Sequence, residues 1–353
     1  MSARVGEVDA GVIGRTDPVV ARVLRSWRGL TGGAAVRDGD RRTVVACSGG
    51  ADSVALAIVL SLVEPKPLIV HVVHDMRSVE ESEGDAAFVE GIAEVLGCDF
   101  VRERVTVRGM VGNLEANARD ARYGVLARMA KEHGCSYVAT GHHGDDQLET
   151  VLMRLIRGAG LRGLGGMKAK REIGVGVTLV RPMLGVSRDE VEDLCRRAGV
   201  DWVEDATNAD VSYLRNRVRA EVVPVLKGID GGIVERVVGD AASVRDASEA
   251  LDRLVRARWW VTAERDGDGV VLSRDALRDE GGAGEIGAIL RIGIDELCGG
   301  VGHDSVGRRE IGCVVDAVMD GSEERRTVRV GPMVVVVHAR AVRIARFDGD
   351  DDG

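Results

Sequence analysis

The chain has 353 residues, of which 45% are hydrophobic and 3% are aromatic, and its formal net charge at pH 7 is −9. This length favours two domains with an aliphatic core. The negative charge argues against general, non-specific nucleic-acid binding, but it leaves room for RNA contacts through a local basic cluster. No apolar run approaches the roughly 18 residues that span a bilayer, and no secretory pattern opens the sequence, so we expect a cytoplasmic protein without a membrane partner.

Strands and helices alternate between Arg42 and about Leu226. Short apolar runs predict strands at 44–46, 68–73, 99–107 and 137–140, and apolar stripes predict helices at 54–60, 83–96, 113–133 and 145–157. This alternation predicts an α/β domain with a parallel sheet and helices on both of its faces. Ligands of such sheets bind beyond the carboxyl ends of the strands.

The pattern changes after Leu226. Helices are predicted at 234–259, 285–297 and 309–319, followed by strands at 327–330, 333–338 and 341–346. We therefore expect an N-terminal extension with a helix (1–40), the α/β catalytic domain (41–226), a smaller, mostly helical α+β domain with an antiparallel sheet (227–347) and an acidic tail (348–353).

A glycine-rich turn follows the first predicted strand and leads into a helix. It consists of Ser48, Gly49, Gly50, Ala51, Asp52 and Ser53. A strand, a glycine turn and a helix together offer backbone N–H groups and a positive helix end to phosphate. The turn lacks the lysine of the common nucleotide-binding P-loop. Because Asp52 repels phosphate, its presence there predicts a Mg²⁺ ion between the two.

A second polar segment, residues 141–150, follows the fourth predicted strand and opens a helix. Asp146 and Glu149 are three residues apart, so both lie on one helix face. Helix capping accounts for one acid at this position. It does not account for two histidines, three acids and Gln147 within ten residues, which favours a Mg²⁺ and amine site next to the phosphate turn.

Two segments concentrate positive charge. Residues 153–171 contain six basic residues, five glycines and no acid, a composition typical of a loop that closes over an anionic substrate. A basic helix face at 208–219 is the second segment. Solvated charges or surface salt bridges are the alternatives for both segments. The residues that we predict to contact RNA are Arg157, Arg162, Lys168, Lys170, Arg215 and Arg219.

The turn at 48–53 resembles the Ser-Gly-Gly-x-Asp-Ser motif of the PP-loop ATP pyrophosphatases, which attack the α-phosphate of ATP and release pyrophosphate. Further motifs, in order and spacing, resemble the bacterial tRNA(Ile)-lysidine synthetases over about residues 41–226. These motifs lie at 71–74, 118–123, 141–150, 157–167, 181–184, 205–208 and 213–217. The family usually has His-Val-Asn-His-Gly-Leu-Arg where this chain has His-Val-Val-His-Asp-Met-Arg at 71–77.

The resemblance implies a PP-loop fold, similar to the adenine nucleotide alpha hydrolases, and a two-step ligation. ATP would adenylate the C2 oxygen of the wobble cytidine in a tRNA(Ile) with a CAU anticodon and release pyrophosphate. The amine of free L-lysine would then attack C2 and expel AMP.

The same resemblance implies roles for single residues. The turn at 48–53 would hold pyrophosphate, and Asp52 and Asp146 would hold Mg²⁺. Arg122 would stabilise developing negative charge, Glu149 would receive the lysine ammonium, and His142 would accept a proton or contact the base.

Three other functions remain open from the sequence. A tRNA 2-thiolation enzyme uses the same adenylation but often needs paired cysteines or a cluster, and the six cysteines here form no Cys-x-x-Cys pair. A glutamine-dependent ligase would need a glutaminase partner. An RNA-binding module would have no use for a pyrophosphate turn. A homodimer is one option for the assembly.

Overall fold

The computed structural model describes residues 13–75, 79–108, 114–203, 213–280, 282–298 and 307–347. The first residue of the helix predicted at 113–133, the family motif at 205–208 and the acidic tail at 348–353 lie outside these residues. The chain divides into two compact units, Met1–Arg154 with Gly166–Ala241 and Leu155–Gly165 with Ala242–Gly353.

The first unit is built on a six-stranded sheet. Its strands are β1 (Thr43–Ala46), β2 (Leu68–His74), β3 (Phe100–Val105), β4 (Tyr137–Ala139), β5 (Lys170–Gly174) and β6 (Val177–Val180). The strand order is β3–β2–β1–β4–β6–β5. All described pairings are parallel except that of β5 with β6. The predicted α/β class is confirmed, and the β5–β6 hairpin is an element that the sequence did not predict.

Helices cover both faces of this sheet, because alternate residues of each buried strand point to opposite sides. Val45 packs with residues of α2 and α3, whereas Val44 packs with residues of α4. The helices of the chain up to residue 262 are α1 (Pro18–Leu30), α2 (Ala51–Ser61), α3 (Val79–Leu96), α4 (Leu114–Glu132), α5 (Gly144–Ile156), α6 (Leu161–Leu164), α7 (Arg188–Arg197), α8 (Leu214–Arg217), α9 (Val223–Ile229) and α10 (Ile233–Thr262), with a π-helical segment at Val218–Val222.

The glycine-rich segment 153–171 is more structured than predicted. Its first residues extend α5 to Ile156, α6 lies in its middle, and Lys170 and Arg171 belong to β5. The helix predicted at 145–157 accounts for the first residues, but the rest of the segment is not the flexible loop that we predicted. Neighbouring strands supplied the missing order, since Lys170 and Arg171 pair with Val180 and Leu179 of β6.

The second unit contains a five-stranded antiparallel sheet. Its strands are β7 (Ala263–Asp266), β8 (Gly269–Ser273), β9 (Arg326–Val330), β10 (Met333–Val337) and β11 (Ala341–Arg346), and its helices after residue 262 are α11 (Arg274–Glu280), α12 (Ala283–Leu297) and α13 (Arg308–Met319). The strand order is β7–β8–β11–β10–β9. The predicted helices and the three last strands are confirmed, and the sheet is larger than predicted because the β7–β8 hairpin extends it.

The start of α10 packs with the first unit. Val234 of α10 is buried in one apolar cluster with Leu148 of α5 and Val218 and Val223 of the helices between them. One border between the compact units falls inside α10, between Ala241 and Ala242. A catalytic role for residues 41–226 stays a prediction. RNA contacts by residues 227–347, which loosely resemble the tRNA-contacting region of the synthetase family, also stay a prediction. No helix of the described residues is long and apolar enough to cross a membrane.

Candidate active site

Two loops meet at the carboxyl edge of the sheet, after β1 and after β4. A Cβ atom on Gly141 would lie 2.6 Å from the carbonyl oxygen of Asp52 and 2.9 Å from the nitrogen of Ser53. Real Cβ atoms do not approach backbone so closely, so only glycine fits where these two loops touch. The expected meeting of the two polar segments is confirmed.

The turn at 48–53 has the shape of an anion cradle. Gly49 has a φ of +92°, and α2 begins at Ala51 with no side chain capping its N-terminus. The first N–H groups of α2 thus remain available to a phosphate. Ser53 is buried and its hydroxyl oxygen accepts from the Ser48 nitrogen at 3.1 Å and donates to the Gly50 carbonyl at 2.9 Å. Ser53 shapes the turn from within, while Ser48 is exposed.

Asp52, His143 and Asp146 form a cluster with the spacing of metal ligands. One ligand atom from each residue lies within 4.8 Å of the other two. His143 Nε2 is 3.4 Å from Asp52 Oδ1 and 3.7 Å from Asp146 Oδ2. The sequence predicted Asp52 and Asp146 as ligands and missed His143. Two carboxylates, of which that of Asp52 is 43% exposed, fit Mg²⁺, which prefers oxygen ligands.

His143 is 1% exposed, and its Nε2 atom has no hydrogen-bond partner. The 3.4 Å contact with Asp52 lacks hydrogen-bond geometry, so the interaction is electrostatic. Burial alone lowers the pKa of His143, but Asp52, Asp146 and Asp145 outweigh it and the pKa is raised. An orphan polar atom this deeply buried is costly. Its position between two carboxylates makes the cluster a candidate site for a bound group.

His142 contacts other groups than His143 does, and its pKa shifts in the opposite direction. Its Nδ1 atom is 2.9 Å from Thr140 Oγ1. Burial lowers the pKa of His142 to about 3, with Arg181, Arg119 and Arg215 acting in the same direction against the charge of Asp146. The ring is therefore neutral at neutral pH. A neutral imidazole is suited to a hydrogen bond more than to storing a proton.

Asp146 and Glu149 carry their charges in a buried position, with side chains 9% and 2% exposed. Arg215 donates to Asp146 at 2.6 Å and to Glu149 at 2.8 Å. Arg219 donates to the two oxygens of Glu149 at 2.6 and 3.1 Å. Burial raises the pKa of Asp146, yet His143 and Arg215 outweigh it and lower this pKa to about 2.

The two arginines predicted to contact RNA thus contact carboxylates in the structure. The sequence placed Arg215 and Arg219 on one helix face but did not show what that face meets. Glu149, predicted to receive an ammonium, already has both oxygens bonded to arginine. The RNA contacts of Arg215 and Arg219 and the ammonium contact of Glu149 remain predictions.

Asp145, in the same segment, links α5 to α7 and to Lys227. Its carboxylate accepts from the Arg188 nitrogen at the start of α7 at 2.8 Å and contacts Lys227 Nζ at 2.5 Å. Gln147 accepts from the Met167 nitrogen at 2.7 Å. A Cβ on Gly166 would lie 2.5 Å from the Gln147 side chain. Gln147 consequently anchors the end of the glycine-rich segment to α5, a role that the sequence did not indicate.

The remaining predicted side chains are on the surface. Arg122, Arg157, Lys168 and Lys170 are exposed. Arg162 forms ion pairs of 2.8 Å with Asp252 and 2.9 Å with Asp295, all within the second unit. RNA contacts by Arg157, Arg162, Lys168 and Lys170 are untested by this geometry.

Comparison with known proteins gives a consistent result. A family model described as a PP-loop domain matches residues 26–226. A protein named tRNA(Ile)-lysidine synthase from Salinispora tropica is 44% identical over 216 residues, which are 59% of this chain and 64% of that protein. One of the same name from Novosphingobium aromaticivorans is 39% identical over 242 residues, or 68% of this chain and 70% of that protein.

Other similar proteins set the limits of this comparison. The Symbiobacterium thermophilum protein of that name is 40% identical over 248 residues, 65% of this chain but 50% of its own length. The chain thus spans about half the length of some curated relatives. Among solved structures, a U34-tRNA thiolase from Methanococcus maripaludis with its [4Fe-4S] cluster has a TM-score of 0.53 at 20% identity, covering 65% of this chain and 81% of that one. This likeness concerns the fold alone.

We expect Gly141→Ala to abolish nucleotide binding, because the added methyl group would push the 48–53 turn away from the loop after β4. Calorimetric titration with ATP in the presence of Mg²⁺ measures this effect. Gly185→Ala is the matched control, since a Cβ there meets no atom within 4 Å. Unchanged ATP affinity in a folded Gly141→Ala variant would show that the contact between the loops is not needed for the cradle.

Proposed function

Because the chain belongs to the tRNA(Ile)-lysidine synthase family of PP-loop proteins, we propose that it ligates free L-lysine to C2 of the wobble cytidine of a tRNA(Ile) with a CAU anticodon. ATP would activate the C2 oxygen, with loss of pyrophosphate, and the lysine amine would displace AMP. The observation that carries this proposal is the joining of an anion cradle, a ligand cluster and two buried carboxylates at one sheet edge.

The activation step would use the turn at 48–53 and the cluster next to it. Backbone N–H groups of the turn and of α2 would bind pyrophosphate oxygens. Asp52 and Asp146 would hold Mg²⁺, with His143 as the third neighbour. A bound Mg²⁺ would balance negative charge on the α-phosphate. Arg122, exposed on α4, would stabilise the charge that develops on the reacting groups.

The ligation step needs a site for a cationic amino acid. Asp146 and Glu149 already pair with Arg215 and Arg219 there, and their carboxylate oxygens are the acceptors that a cationic amino acid would share with the arginines. In this proposal Glu149 orients the lysine ammonium, sharing its oxygens with Arg215 and Arg219. The neutral ring of His142 would contact the cytosine or take up a proton briefly as the amine attacks.

A tRNA 2-thiolation enzyme is the second candidate, because it would use the same cradle for adenylation. It ranks lower, since the six cysteines form no Cys-x-x-Cys pair and the relatives compared above carry the synthase name.

One assay separates the two candidates. The protein is incubated with ATP, Mg²⁺, labelled L-lysine and a tRNA(Ile) transcript with a CAU anticodon, and the RNA is analysed for label. We expect one lysine incorporated for each AMP and pyrophosphate released. A transcript with uridine at the wobble position is the control and should stay unlabelled. Pyrophosphate release without any label in the RNA would refute the ligation.

We expect Asp52→Asn to lower ATP-dependent pyrophosphate release on the order of 100-fold or more, because charge stabilisation by a metal is worth several kcal/mol in a transition state. The thermal midpoint of Asp52→Asn should equal that of Asp99→Asn. Asp99 is exposed at the opposite edge of the sheet and serves as the control. Near-normal turnover by a folded Asp52→Asn variant would remove Asp52 from the metal site.

We expect Arg219→Gln to destabilise the fold by about 1–3 kcal/mol, because it removes a charged hydrogen-bond donor from buried Glu149. Arg217→Gln is the matched control on the same turn, where Arg217 is 61% exposed and pairs only at 3.4 Å with Glu221. Chemical denaturation measures the effect. If Arg219→Gln instead lowers the salt dependence of tRNA binding more than Arg217→Gln does, Arg219 contacts phosphate directly.

A further inference from the structure

Three arginines gather around the ring of Tyr123 in the first unit. The guanidinium carbon of Arg171 is 4.5 Å from the ring centroid, and that of Arg119 is 5.3 Å from it. Arg181 lies close enough to the phenol group to interact with it electrostatically. Tyr123 and Arg181 are buried, whereas Arg119 and Arg171 are exposed. We call these four residues the Tyr123 cluster.

The topology brings the Tyr123 cluster to the carboxyl edge of the sheet, where the candidate active site lies. Arg181 directly follows β6, and Arg171 in β5 pairs with Leu179 near the end of β6. Tyr123 and Arg119 lie on α4, which packs on the sheet face opposite α2. The cluster therefore stands at the carboxyl edge beside His142 but on the far side of the sheet from the helix that opens at the phosphate turn.

No acid among the described residues forms an ion pair with Arg119, Arg171 or Arg181. This arrangement shifts the pKa values of Tyr123 and Arg181. Burial alone raises the pKa of Tyr123, but the charges of Arg119, Arg181 and Arg171 outweigh it and the pKa is lowered. Burial lowers the pKa of Arg181, and the nearby Arg119 and Arg171 lower it further. Within the described residues, the cluster thus carries positive charge without an acidic partner.

The Nε atom of Arg181 gives the second, independent observation. Arg181 is 3% exposed, and its Nε has no hydrogen-bond partner, although one Nη atom donates to the Lys168 carbonyl at 2.5 Å.

Arginines that serve only the fold look different in this chain. Buried Arg41 donates from all three of its nitrogens to carbonyl groups and to Asp38. Buried Arg274 likewise donates from all three nitrogens to backbone carbonyls.

We propose that the Tyr123 cluster is a phosphate subsite that binds a backbone phosphodiester of the RNA substrate next to the nucleotide that enters the active site. Guanidinium groups match phosphate oxygens with paired N–H donors, and phosphate contacts fix the register of a nucleic acid. This inference rests on the proposed function, because it needs RNA as the substrate. The other source of phosphate is ATP itself, and the experiment separates the two.

The test compares Arg119→Gln and Arg171→Gln with Arg37→Gln. Arg37 is an exposed arginine at the opposite edge of the sheet, just before β1, with no ion pair among the described residues. Binding of a tRNA(Ile) transcript is measured at several salt concentrations without ATP or lysine. We expect each cluster variant to bind about tenfold more weakly, with the slope of log affinity against log salt smaller by about one unit. Arg171→Lys should restore most of the slope, and ATP affinity should not change.

Two results would overturn the subsite. The first is a pair of cluster variants that bind tRNA with the affinity and slope of Arg37→Gln. The second is a loss of ATP affinity with unchanged tRNA binding, which would assign the cluster to the nucleotide. Neither result touches lysine transfer by the unaltered protein. Failure of that transfer with intact, cluster-dependent tRNA binding would refute the proposed reaction and leave the subsite standing.

Discussion

The burial of two carboxylates is the constraint on which the candidate active site at the carboxyl edge of the sheet depends. Asp146 and Glu149 are almost inaccessible to water, and an ionised carboxylate in such a position must be paired and hydrogen-bonded. The pairing groups come from residues about seventy positions later in the chain. The segment that carries them has to fold back over α5. The carboxyl edge of the sheet therefore depends on elements that lie outside the alternating β–α pattern.

Apolar packing places those arginines. Leu148 is the neighbour of Glu149 on α5 and is buried against Val218, which stands between Arg215 and Arg219 along the chain. The same pair of helical segments thus joins by an apolar contact and by ion pairs. A buried ion pair adds little to stability by itself, because desolvation offsets most of the attraction. The apolar contact supplies the net stabilisation, and the ion pairs fix which residues face each other.

Sequence reasoning reached the parts of this site that depend on local chemistry. Apolar runs located the strands, and the rule that parallel strands end at one edge correctly brought the turn at 48–53 to the loop that contains Gly141. It failed for contacts between distant segments. Two histidines in succession look equivalent in a sequence, yet His143 faces Asp52 and Asp146 while His142 faces Thr140. The many glycines at 153–171 hid strand β5, which exists because β6 lies beside it.

The contacts of the arginines indicate where an anion would bind better than the number of arginines does. This chain has 48 lysines and arginines against 57 acids, and no count of them shows where an anionic substrate would bind. The arginines fall into three physical states. Arg41 and Arg274 donate hydrogen bonds from all of their side-chain nitrogens to groups of the fold. Arg215 and Arg219 neutralise buried acids. Arg181 keeps a buried donor without a partner, beside two more guanidinium groups. An anion would supply the partner that the third state lacks. In an acidic protein, a site for a polyanion is therefore sought where arginines lack acids, and not where basic residues are most numerous along the sequence.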